Sequence, residues 1–114
     1  MESNYLRSER IMKRQLKPGD TVYTPCVNFN AAQPRLEEQT VQGIGDDYIV
    51  LTHVATIRRR GDEVVREECE PTERRGNKDE LDYYSRPFED IISEFQQQNE
   101  WLCARLIADA AKYK

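Results

Sequence analysis

The stretch Tyr48 to Arg58 constrains this chain more than any other. Ile49, Leu51, His53, Ala55 and Ile57 fall on one face of an extended backbone, and Tyr48, Val50, Thr52, Val54 and Thr56 fall on the other. The run is rich in β-branched and aromatic side chains, which fit a pleated surface. Apolar groups on both faces predict a central strand, paired along both edges and covered on both sides. The chain must therefore build a sheet around these residues.

Candidate neighbours flank it. Thr21 to Val27 alternates as a strand, and Pro25, which has no N–H to give to a ladder, predicts an edge or a bulge there. Residues 28–36 read as a loop. Glu37 to Ile44 reads as a second strand, with Val41 and Ile44 out of period and Gly43 placed for a bulge. Gly45-Asp46-Asp47 reads as a tight turn. Arg59-Arg60-Gly61-Asp62 reads as a hairpin tip, with Gly61 free to take positive φ. Glu63 to Cys69 returns as a strand that Pro71 ends, residues 72–80 read as a mobile polar loop, and Leu81 to Tyr84 reads as a short closing strand.

Helices are expected at both ends. Over residues 3–16, Tyr5, Met12 and Leu16 share one side, while Arg7, Arg10, Arg14 and Lys17 share another at helical spacing. Over residues 86–113, Ser85 suits an N-cap and Pro87 the first turn. Phe88, Ile92, Phe95, Leu102, Leu106, Ala110 and Tyr113 hold helical phase, with Asn99 as the one polar interruption. A straight helix over residues 87–113 would span about 40 Å at 1.5 Å per residue. A compact domain of this size is only about 35 Å across. The helix must overhang the sheet or bend near Asn99.

The Lys17-Pro18-Gly19-Asp20 turn leading into Thr21-Val22-Tyr23 resembles the start of an SH3-like small barrel. The long first loop, the turn at Gly45-Asp46-Asp47 and the hairpin tip at Arg59–Asp62 extend the resemblance over residues 17–84. It implies binding of peptides, nucleic acid or other proteins rather than catalysis. The expected fold is α+β in one domain over residues 1–114. It is a small, mostly antiparallel twisted sheet or SH3-like barrel of about five strands, within residues 20–84, with a short N-terminal helix and a long C-terminal helix.

Composition narrows the function classes. Of the residues, 33% are charged, the net charge is −4 and the mean hydropathy is −0.86. That balance argues against a general duplex-DNA binder, which carries a basic footprint. The charge is uneven, however. Arg7, Arg10, Lys13, Arg14 and Lys17 outnumber Glu2 and Glu9 in residues 1–18, so the start is positive and the remainder negative. Cys26, Cys69 and Cys103 are odd in number and widely spaced, unlike a disulfide framework. The opening MESNYLRSER lacks an apolar signal region and no run approaches membrane-spanning length, so a cytoplasmic protein without a membrane partner is expected.

Catalytic chemistry finds little material. Cys26, His53 and Cys69 fall on three expected strands and would have to converge to act as metal ligands or as a thiol–imidazole pair. Their spacing matches no zinc pattern, and a packed histidine accounts for His53. Gly43-Ile44-Gly45 lacks the lysine and the helix of a phosphate loop. No catalytic residue, metal or cofactor is expected, and the chain reads as a non-enzyme. Two binding surfaces stand out. The far half of the C-terminal helix carries Trp101, Leu102, Leu106 and Tyr113, an apolar surface that needs a cover: the first helix through Tyr5, Met12 and Leu16, a second copy of the chain, or a protein partner. The alternative is a nucleic-acid surface made by Arg7, Arg10, Arg14 and Lys17 together with Arg58, Arg59 and Arg60. The favoured expectation is a protein-binding module that occupies another macromolecule. Accessory and counter-defence inhibitors of phages and mobile elements include many small acidic proteins of this kind.

Overall fold

The computed structural model describes residues 14–26, 34–97 and 99–109. Four strands follow one another as an antiparallel meander: β1 (Thr21–Cys26), β2 (Arg35–Ile44), β3 (Tyr48–Arg60) and β4 (Glu63–Asn77). Their order in the sheet is the order in the chain. Three helices come after them: α1 (Lys78–Tyr84), α2 (Phe88–Gln96) and α3 (Glu100–Asp109).

Local chemistry sets the corners. Gly19 takes φ 98° in the turn before β1, where its N–H reaches Val41 O at 2.8 Å and the Lys17 amide bonds Asp20 Oδ2 at 3.0 Å. Gly61 takes φ 62° at the β3–β4 hairpin tip, a conformation that costs glycine nothing. A Cβ on Gly45 would collide with the Tyr48 ring, so the β2–β3 turn needs glycine for a close approach. The β2–β3 register slips between Val41 and Gly43, and again between Glu38 and Gln39.

Successive side chains of a strand point to opposite faces. Val22 and Tyr23 are neighbours, yet they belong to different cores. Tyr23, Leu36 and Ile57 join Phe88, Ile92, Phe95, Leu102, Cys103 and Leu106 beneath α2 and α3. Val22, Val41, Ile49 and Leu51 join Tyr84 of α1, with Leu16, Ile44, Leu81 and Tyr83 at the margin. The helices thus cover opposite faces of opposite halves of the sheet. Strand β3 serves both, through Ile49 and Leu51 on one side and Ile57 on the other, all 0–1% exposed. The expected single face is corrected, because the register skips Val54 between His53 and Ala55 and reverses the alternation there.

Several expectations are corrected. Among the described residues the sheet has four strands rather than five, and it is open: β1 and β4 are its two edges, so it is not an SH3-like barrel. Strand β4 passes Pro71 and runs on through the segment expected to be a loop, because β3 offers it a long edge to pair with. Leu81–Tyr84 is helix, not a closing strand: the Asn77 side chain accepts the Glu80 amide at 3.1 Å and starts α1. The expected long C-terminal helix is two shorter ones, the first ending at Gln96 and the second beginning at Glu100. The expected N-terminal helix lies over residues 3–13 outside the described residues, and residues 14–16 are not helical.

Candidate functional site

Helix α3 is anchored on one side and open on the other. Leu102, Cys103 and Leu106 are 0% exposed in the core. Trp101, Ala104, Ile107 and Ala108 therefore line the outward half of the helix, all exposed. Trp101 at 44% and Ile107 at 52% are the exposed large hydrophobic side chains among the described residues. The hairpin tip reaches this surface. The Arg59 guanidinium sits 4.9 Å from the centre of the Trp101 ring and donates from Nε to Gly61 O at 2.8 Å. A cation held over an indole by its own turn presents a preordered, mixed apolar and cationic surface.

The residues expected to meet a protein partner are thus divided. Trp101 faces solvent, Leu102 and Leu106 are buried within the chain, and Tyr113 lies outside the described residues. Ile107 also belongs to the outward face. Taking Asn99 as the cap of a new helix would have shown this, because the buried set then phases on 102, 103 and 106.

The basic residues expected to meet phosphates are only partly described. Arg7 and Arg10 lie outside the described residues. Arg14 donates to Arg86 O at 3.1 Å and to Tyr84 O at 2.7 Å, and its ring neighbour is Phe88. Lys17 pairs with Asp20 at 3.5 Å. Arg58 and Arg60 both engage Glu67, at 2.9 and 2.8 Å, and their hydrogen bonds and charge, that of Arg58 foremost, hold the Glu67 carboxyl below its ordinary pKa. Arg59 is on Trp101. The described cations among them are engaged with backbone carbonyls, carboxylates and an indole ring.

Cys26, His53 and Cys69 come together only in part. The Cys69 sulfur lies 3.8 Å from Nδ1 and 3.9 Å from Nε2 of His53. The Cys26 thiol instead donates to Thr24 O at 3.7 Å, and half-burial together with Glu37 pushes its pKa up. Among the described residues no three His, Cys, Asp or Glu side chains gather to hold a metal ion, and no described helix is long and apolar enough to cross a membrane.

No protein-family model matches the chain, and comparison with curated proteins and with solved structures finds no match either.

Proposed function

We propose that the protein is a non-enzymatic binding module that acts by occupying the surface of another protein through the outward face of α3. The observation that carries this reading is the placement of Trp101. A large indole stays 44% exposed on a helix whose opposite side is fully buried, with Arg59 held over its ring. Leaving such a side chain in water forgoes burial worth about 1.5–3 kcal/mol for a large apolar group. Tryptophan and arginine are also the side chains most enriched among residues that dominate binding energy at protein interfaces. The fitting partner offers an apolar pocket for the indole and Ile107, bordered by carboxylates for Arg59.

The test is a tagged pull-down from cell lysate with and without nuclease, run in parallel for the wild type and for Trp101→Ala. A protein retained in stoichiometric amount by the wild type and lost by the folded variant supports the reading. Equal retention by both removes Trp101 from the interface. Retention of nucleic acid alone, released by salt, removes the protein-binding reading altogether.

A further inference from the structure

The β3–β4 ladder is broken at one place, and that break sets a thiol against an imidazole. His53 pairs with Thr72 and Ala55 with Glu68, so Cys69, Glu70 and Pro71 on β4 stand opposite the single residue Val54 on β3. Pro71 has no N–H for the ladder, which accounts for the irregularity. Such bulges re-aim side chains. Here the Cys69 sulfur is turned onto His53, 3.8 Å from Nδ1, and lies 4.0 Å from the His53 carbonyl. The other ring nitrogen is engaged: Nε2 lies 3.0 Å from Ala55 O and 3.4 Å from Thr56 Oγ1. The sulfur also lies 3.9 Å from Nε2, so the ring as a whole faces it. A carbonyl only accepts, and the tautomer with its proton on Nε2 toward Ala55 O has Nδ1 as the base beside the sulfur.

We propose that Cys69 is a modification site that exchanges with low-molecular-weight disulfides, with His53 receiving the thiol proton. The three cysteines are unequal. Cys69 is exposed, Cys26 is partly covered and Cys103 is buried. Burial, with Glu100 adding to it, pushes the Cys103 thiol up to about 11, and burial with Glu37 pushes Cys26 up as well. Both are thereby poorer nucleophiles near neutral pH. Glu70 flanks Cys69 along β4 as a carboxylate that favours a cationic disulfide, while Glu68 on the other side is paired with Arg66 at 3.3 Å.

The exchange balances without any further oxidant. Cys69 Sγ attacks one sulfur of the disulfide and forms a new S–S bond as the original one breaks. Its proton passes to His53 Nδ1 and on to the departing thiolate, which leaves as a thiol. Cys69 is oxidised and half of the small disulfide is reduced. The product is a mixed disulfide projecting from the edge strand.

Cystamine is the probe, with adducts located by peptide mass spectrometry on initially reduced protein. The Cys69 adduct is expected to form about tenfold or more faster in the folded protein than in the same protein unfolded in urea, and ahead of adducts at Cys26 and Cys103. In His53→Gln, shown to be folded by circular dichroism, the Cys69 rate should drop to that of the unfolded chain. Two results overturn the proposal: Cys69 reacting no faster folded than unfolded, or folded His53→Gln keeping the wild-type rate. The folded-versus-unfolded comparison uses only the wild type, so it decides the matter even where the variant fails to fold.

Discussion

Asn99 Oδ1 accepts the Leu102 amide at 2.9 Å, and this bond marks the start of α3. The Asn99 amide meanwhile closes the end of α2 on Phe95 O at 3.0 Å. One residue thus ends one helix and caps the next. The break lets both apolar faces return to the same side of the sheet, Phe88, Ile92 and Phe95 from α2 and Leu102, Cys103 and Leu106 from α3. A straight helix would carry the second set past the sheet.

The cap gives the first prediction. Asn99→Ala removes the side-chain acceptor and should cost about 1 kcal/mol of unfolding free energy. Asn99→Asp keeps an acceptor at that position and should recover most of the loss. Urea unfolding of the three proteins measures it. An alanine variant as stable as the wild type would mean that packing alone sets the break.

The two sides of α3 should respond oppositely to truncation. Leu106→Ala opens a cavity beneath the helix and should cost about 2–5 kcal/mol, a large share of the roughly 5–15 kcal/mol that holds a domain together. Trp101→Ala removes a side chain that is 44% exposed and has the Arg59 guanidinium 4.9 Å from its ring centre, and it should cost far less. Chemical unfolding of both variants separates core from surface. A Trp101 variant as unstable as the Leu106 variant would make the indole a structural residue.

Much of the sheet was legible because its cues are local. Gly61 and Gly19 marked turns and do adopt positive φ, Gly43 marked a bulge, and Pro25 marked an edge strand. The errors came where partners decide. The second half of β4, Thr72 to Asn77, has no apolar alternation to read, because its side chains, apart from buried Gly76, are exposed and pairing with β3 draws it into the sheet. The aromatic run Leu81–Tyr84 suggested a strand, yet Asn77 followed three residues later by Glu80 was a readable helix start. Asn99 was seen as an interruption of one helix when its side chain begins another. At the candidate sites, Trp101 was read as lying to one side of the apolar stripe, and it is exposed. Its partnership with Arg59 was not legible, since it joins a hairpin tip to a helix far along the chain. The meeting of His53 with Cys69 depends on a bulge whose register no local pattern reveals.

Arg14 should matter for folding. Its guanidinium bonds the carbonyls of Tyr84 and Arg86, and its own amide bonds Ser85 O at 2.7 Å, so it closes the turn between α1 and α2. Arg14→Ala should lose about 1.5–3 kcal/mol, the usual worth of charged hydrogen bonds. Arg14→Lys keeps the charge but not the planar fork and should restore little of it. If both variants unfold at the wild-type urea midpoint, the side chain is dispensable for the fold.

Tyr84 should make stability fall at high pH. The side chain is 1% exposed, and its hydroxyl is hydrogen-bonded to Thr24 Oγ1, which also accepts from Gln39 Nε2. Burial is the main cause that pushes its pKa up to about 12; the Thr24 hydrogen bond opposes the shift and Glu80 adds to it. In the unfolded chain the hydroxyl titrates near its ordinary value of about 10. Between these values the unfolded state releases its proton while the folded state keeps it, so unfolding gains ground as pH rises. The contribution is fully present below about pH 10 and is lost on passing through about pH 12, a swing on the order of 2 kcal/mol. Tyr83, raised by burial and Glu94, acts in the same direction. Tyr84→Phe has no proton to lose and should flatten this part of the profile. At neutral pH it should cost only about 1 kcal/mol for the missing hydrogen bond. Urea midpoints of both proteins from pH 8 to the alkaline limit give the comparison, and profiles that stay parallel would show that the Tyr84 hydroxyl is not protected by the fold.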